Sequence, residues 1–479
     1  VTFLFLGCGS KSAVLSTPIE NIDLIALKVT ELTEAEEKEW SHLDFKTDTI
    51  PGVSLHRAYK ELVRPKSKTI TVAVIDSGVD LDHEDLKDHI WINSDEIPNN
   101  GRDDDANGYV DDINGWNFLG EANNEQLEYV RLVASGNTSN PRYLEAKKLL
   151  SDELESNSRL KRQYEDILAQ LTQADAAVTE YLKKPVYSKE EVDGIITPNF
   201  ELIKHVNIIK QSYGFGFDSI EALMKDLNKG LKTFNKRLNY NLNVDFDGRA
   251  IVGDNPDDLN DRNYGNNDVR AKNGRTHGTH VSGIIAAKRN NGIGINGAAN
   301  NVKIMAIRNT PNGDEYDKDV ALGVYYAVDN GAKVINMSFG KQFSPHSDWV
   351  RDAIAYAAKK DVLIIAAAGN DGENTDQINY FPNDQINNGA EVSNTFLKVG
   401  AIGPRYGSTL VAEYSNYGKN TVDVFAPGSQ IYSTYPEDSY EFASGTSMAA
   451  PLVAGVAALI FSQYPKLSAA QVKHILITS

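Results

Sequence analysis

A single cysteine, Cys8, stands in the whole sequence, so no disulfide can form within the chain and any reinforcement must come from packing or from a metal ion. Positive charge is also in short supply. The 48 Lys and Arg set against 66 Asp and Glu leave a formal net charge of −18, which repels phosphate backbones and anionic headgroups and argues against nucleic acid as a partner. Beyond the first few residues no apolar run is read as reaching the roughly 18 residues needed to cross a bilayer. What is present is the composition of a folded chain with a sizeable core: 41% hydrophobic and 24% charged residues fit neither a disordered nor a fibrous class. A length of 479 residues exceeds one typical core, so either one large domain with added material or two smaller domains are expected.

The chain opens Val1-Thr-Phe-Leu-Phe-Leu-Gly-Cys8, which reads as the tail of an apolar leader, a signal peptide, over residues 1–17. Within it, Phe5-Leu6-Gly7-Cys8 resembles a bacterial lipobox, in which a small residue precedes a cysteine that becomes lipidated. That resemblance implies export, with membrane attachment at the cell envelope through a lipidated Cys8; the leader alone would imply secretion. Residues 18–65 are mixed and charged, with a helical stretch at Glu31–Trp40 and a Pro51-Gly52 turn.

A β-branched run at Thr69–Ile75 then marks a strand buried on both faces, as in a parallel sheet, and it runs into Asp76. Similar runs follow at Val302–Ile307, Val334–Met337, Val362–Ala366 and Phe396–Val399, with helical patterns such as Asp319–Asn330 and Trp349–Lys360 between them. Strands alternating with helices predict a doubly wound α/β domain whose ligands sit at the carboxyl ends of the strands. The rhythm breaks over residues 121–243, where Tyr164, Ile167, Leu171, Ala174, Val178 and Tyr181 step by threes and fours, as nearly do Ile220, Leu223, Leu227, Leu231, Phe234 and Leu238. Such stripes predict an inserted helical hairpin or small bundle between catalytic parts at 66–120 and 244–479.

Peptide hydrolysis needs a nucleophile, a base, a group that holds the base, and donors for an oxyanion. Asp76, at a buried strand end, can orient an imidazole. His277, in Thr276-His277-Gly-Thr-His280, opens a helix and would be the base. Ser447, in Gly445-Thr-Ser447-Met-Ala-Ala-Pro451, also opens a helix and would be the nucleophile. Asn370, after Ala366-Ala-Ala-Gly369, supplies an amide that can donate to an oxyanion. Ser338-Phe339-Gly340 offers an edge on which an extended substrate could pair, and with Ala367, Ala368 and Gly369 it would wall a specificity pocket. His280 and His83 are read as structural. Gly292-Ile-Gly294-Ile-Asn-Gly297 fits a dinucleotide-binding spacing, but it follows a helix and precedes a strand, the wrong context for that fingerprint.

The segments VIDSG at Asp76, HGTHVSG at His277, INMSFG, AAAGN at Asn370 and GTSMAAP at Ser447 together resemble the subtilase family, in that family's order Asp, His, Ser. The likeness covers roughly residues 66–120 and 244–479. It implies a three-layer, mostly parallel subtilisin-like fold, serine endopeptidase activity on proteins or peptides, and no organic cofactor.

One loop points to a metal. Asp103-Asp-Asp105-Ala-Asn107-Gly108-Tyr109-Val-Asp111-Asp112 spaces its oxygens like the first nine positions of an EF-hand loop, with Asp112 in place of the usual closing Glu. Structural calcium, held by Asp103, Asp105, Asn107, Tyr109, Asp111 and Asp112, is the expectation.

Overall fold

The computed structural model describes residues 28, 30–65, 67–272, 274–386 and 389–479. Cys8 and the leader at 1–17 lie outside the described residues. The chain divides into two compact units, one made of the described parts of 1–120, 255–310 and 316–479, the other of 121–254 with 311–315.

In the first unit, among the described residues, seven strands form one parallel sheet in the order β2-β3-β1-β4-β5-β6-β7. They are β1 (Ile70–Asp76), β2 (Gly115–Asn117), β3 (Val302–Arg308), β4 (Val334–Met337), β5 (Leu363–Ala367), β6 (Phe396–Ile402) and β7 (Val424–Pro427). The central strands are buried almost throughout because helices cover both faces, and their β-branched, apolar sequences fit that setting. The helices His277–Ala286 and Thr446–Gln463 pack together on one face, and Asp317–Asp329 and Ser347–Lys359 pack together on the other. This is the three-layer doubly wound fold expected from the sequence. A two-stranded hairpin, β8 (Ile431–Tyr435) and β9 (Ser439–Ala443), precedes the Thr446–Gln463 helix and carried no signal read beforehand.

One expectation changes. The Thr446–Gln463 helix is long and apolar enough to cross a bilayer by length and composition, but 78% of that stretch is buried inside the fold, so its apolarity serves the core. The described part of the amino-terminal segment is equally structural. Trp40, Ile50 and Leu55 are buried in the same core as the two helices, and the Trp40 indole N–H lies 3.1 Å from the Ser429 carbonyl oxygen.

The second unit is helical. A helix at Tyr143–Leu182 packs with Phe200–Tyr213 and Ile220–Lys236 around Leu171, Ala174, Val178, Leu202, Val206, Leu223 and Leu227. It is therefore a bundle rather than a hairpin. Of the residues in the first stripe, Ile167 and Tyr181 remain half exposed. The unit runs past residue 243, where the insertion was expected to end. Arg249 and Asp254 form a buried ion pair at 2.7 Å, and the Asn241 amide donates to the carbonyls of Glu125 and Asn312. Buried polar groups of this kind demand partners, and besides Glu125 those partners lie in 244–254 and 311–315.

Candidate active site

Asp76 is the last residue of β1 and only 1% exposed. Its carboxylate accepts the Ser77 backbone N–H at 2.7 Å and faces His277 Nδ1 with both oxygens, at 2.8 and 2.9 Å. Two acceptors opposite Nδ1 fix the proton there, which leaves the Nε2 lone pair of the neutral ring free. His277 is the first residue of its helix, and the next position must be small: a Cβ on Gly278 would run into the Gly78 carbonyl oxygen. Burial opposes the charged imidazolium, but the Asp76 carboxylate and its hydrogen bond outweigh it, and the His277 pKa is raised above its ordinary value.

Ser447 is the second residue of the Thr446–Gln463 helix. Pro451, four residues on, has no N–H to give to the Ser447 carbonyl, and that carbonyl instead accepts the Ser338 hydroxyl at 2.9 Å. The Ser447 hydroxyl returns the contact, donating to the Ser338 carbonyl at 3.0 Å; among the described residues it makes this bond and none to His277. β1 and β4 are paired neighbours with Ile75 opposite Met337, so Asp76 and Ser338 leave adjacent strands, which lie about 4.8 Å apart. His277 is anchored to one strand end and Ser447 to the next.

Asn370 follows β5 by three residues and is exposed. Its Oδ1 accepts the Thr446 backbone N–H at 2.8 Å and the Thr446 hydroxyl at 3.0 Å, and that hydroxyl accepts the Gly369 N–H at 3.1 Å. The start of the Ser447 helix has no cap from its own Gly445. The Asn370 oxygen supplies one from outside, which turns the amide so that its NH2 is the end left for other partners.

Ser338, Phe339 and Gly340 continue from β4, and Ala367, Ala368 and Gly369 end and continue β5, the strand paired with it. The two stretches run side by side past the same sheet edge as Ser447. His280 and His83 are buried and structural. His280 Nε2 lies 3.1 Å from the carbonyls of Ile431 and Glu441, and burial pushes its pKa down to about 4. His83 Nε2 lies 3.2 Å from the Ser439 carbonyl.

The acidic loop converges differently from its spacing. Asp105 and Asp112 meet Glu96, with one oxygen from each within 4.8 Å of the others. Glu96 was missed because it precedes the motif and no interval ties it to the loop. Asp103 accepts the N–H groups of Asn107 and Gly108, and Asp111 those of Asn100 and Gly101, so both side chains hold the loop's own backbone. The Asn107 amide donates to Asp105 and Asp112, and the Tyr109 ring packs against Trp116 and Tyr326. Among the described residues no Lys or Arg pairs with Glu96, Asp105 or Asp112.

Fold and site together define a class: an α/β protein that presents a carboxylate-bound imidazole and a helix-start hydroxyl at one edge of a parallel sheet. The chain belongs to the subtilase family, whose model matches residues 67–479. It is 41% identical over 220 residues to the thermophilic serine proteinase of Bacillus sp. (strain AK1), covering 46% of this chain and 49% of that protein. It is 42% identical over 198 residues to thermitase of Thermoactinomyces vulgaris, covering 41% and 65%, and 39% identical over 203 residues to subtilisin DY of Bacillus licheniformis, covering 42% and 69%. The chain thus spans about half to two thirds of the length of these relatives.

The raised His277 pKa can be read directly. NMR titration should place the His277 midpoint above about 6.5, and Asp76→Asn should lower it. Because the folded value exceeds the unfolded one, the pair stabilises the fold fully below about pH 6.5, and that contribution fades as pH rises through the folded midpoint. A midpoint at or below the ordinary value, unmoved by Asp76→Asn, would contradict the electrostatic account.

Proposed function

We propose that this chain is a serine endopeptidase that hydrolyses proteins or peptides through Asp76, His277 and Ser447. The observation that carries the reading is the two-oxygen hold of Asp76 on His277 Nδ1, which leaves Nε2 as a base beside the helix that carries Ser447. For attack, the Ser447 hydroxyl leaves the Ser338 carbonyl and rotates about χ1 toward Nε2. Oγ then bonds to the scissile carbonyl carbon while Nε2 takes its proton. The carbonyl oxygen becomes an anion met by the Asn370 NH2 and the Ser447 backbone N–H. Collapse breaks the C–N bond as the imidazolium gives its proton to the leaving amine. Water, deprotonated by His277 in turn, releases the acyl group and restores the hydroxyl. The substrate backbone pairs along Ser338–Gly340. Neutral His277 is the working form, so kcat/KM rises with pH through its raised pKa.

A bound calcium ion is part of the same reading. Glu96, Asp105 and Asp112 would hold it, three hard oxygen donors with no cationic side chain paired to them among the described residues, and the ion would brace the loop without entering the chemistry. Export with a lipidated Cys8 is supported by the leader and by the position of the only cysteine.

Three measurements follow. Ser447→Ala should abolish casein hydrolysis in a folded protein, and Asn370→Ala should leave KM nearly unchanged and lower kcat by about 10²–10³-fold, the magnitude known for subtilisin itself and taken over with the family likeness. Full activity in Ser447→Ala would end the proposed mechanism. Excess calcium should raise the melting temperature over that in chelator, and Glu96→Gln should shrink the difference; equal melting temperatures in the parent would remove the ion. Full-length protein should partition into detergent and Cys8→Ser into buffer, whereas equal partitioning would dismiss lipidation.

A further inference from the structure

The walls read as a specificity pocket both end in glycine, Gly340 on one side and Gly369 on the other. A glycine wall presents bare backbone, and an empty gap between two such walls would admit a bulky side chain. Here the gap is occupied. A Cβ built on Gly340 would stand 2.5 Å from Cε1 of Tyr380, and one built on Gly369 would stand 2.5 Å from Cζ and 2.7 Å from Cε1 of the same ring. One edge of a single phenol therefore stands where a side chain on either wall glycine would point, against both walls at once.

The ring is held there from three sides. Its hydroxyl donates to the Gly340 carbonyl at 3.2 Å. The Tyr380 backbone carbonyl accepts the Lys398 ammonium at 2.9 Å, and Lys398 is itself only 3% exposed, with its Nζ 5.7 Å from the Tyr380 ring centroid. The next residue, Phe381, exchanges backbone hydrogen bonds with Lys341 at 2.8 and 2.9 Å, which stitches this segment to the chain directly after Gly340. Moving the ring out would cost the hydroxyl contact and would strip the apolar cover from two backbone walls.

We propose that Tyr380 is a specificity-determining residue that closes the pocket for the side chain preceding the scissile bond, so that this chain cleaves after small residues such as Gly, Ala and Ser. The inference rests on the endopeptidase reading above. The physical reason is exclusion: Phe, Tyr, Trp, Leu or Met would need the volume the phenol fills, and a close-packed site does not give way for a few added carbons.

The test is a casein digest by the full chain, with the new carboxyl termini identified by mass spectrometry, beside the same digest by Tyr380→Ala. The parent should yield termini dominated by Gly, Ala and Ser. Tyr380→Ala should raise the kcat/KM ratio for a Phe peptide over its Ala counterpart by about 10²-fold, the scale on which a pocket discriminates by size. Parent termini dominated by Phe, Tyr, Leu or Met would overturn the assignment to Tyr380 while leaving the endopeptidase reading intact, and this holds even if the variant does not fold. An unchanged ratio in folded Tyr380→Ala would overturn it as well. No cleavage by either protein would overturn the endopeptidase reading and the pocket with it.

Discussion

A carboxylate at the end of a strand buried on both faces must be fully partnered, and the contact that partners Asp76 organises the site around it. Loss of hydration for a group 1% exposed is tolerable only with strong donors in place. The Ser77 N–H and His277 Nδ1 supply them. The Asp76 contact fixes which nitrogen of His277 carries a proton, and it holds the His277 helix so close to the chain just after β1, at Gly78, that only glycine fits at 278. One short polar contact thus sets a tautomer, a helix position and a pKa direction.

The nucleophile's side of the site is built from missing hydrogen bonds. A helix start leaves N–H groups without intrahelical partners, and a proline leaves a carbonyl without one. Asn370 takes up the first deficit and Ser338 the second, so the residues proposed to meet the oxyanion and the substrate are the ones that complete the Thr446–Gln463 helix. Stability of the helix terminus and orientation of the Asn370 amide are consequently one feature. Parallel pairing of β1, β4 and β5 carries these residues to a common edge, as expected for ligand sites in doubly wound sheets.

Much of this was legible in the chain. Runs such as Ile70–Asp76 and Val334–Met337 are apolar and β-branched because their burial is two-sided, and that pattern survives without knowledge of the partner strands. The five segments around Asp76, His277, Ser338, Asn370 and Ser447 are legible because together, and in that order, they resemble the subtilase family. The remainder depended on contacts between distant positions. Glu96 joins Asp105 and Asp112 only through folding of its loop, and Tyr380 reaches Gly340 and Gly369 from a stretch with no periodicity. Burial of Trp40 likewise needs Ser429 and the helices beneath it. The helical stripes identified the second unit, but its inclusion of 244–254 and 311–315 rests on contacts between distant positions, such as that of Asn241 with Asn312, that spacing alone does not reveal.

The central claim is that the Asp76–His277 contact makes one hydroxyl in this chain, that of Ser447, a nucleophile. Reaction of the folded protein with a fluorophosphonate, followed by peptide mapping, tests that claim most directly. The account predicts a single adduct on Ser447 that forms slowly or not at all in Asp76→Asn. An adduct on another serine, or labelling of Ser447 at the same rate without the Asp76 carboxylate, would contradict it.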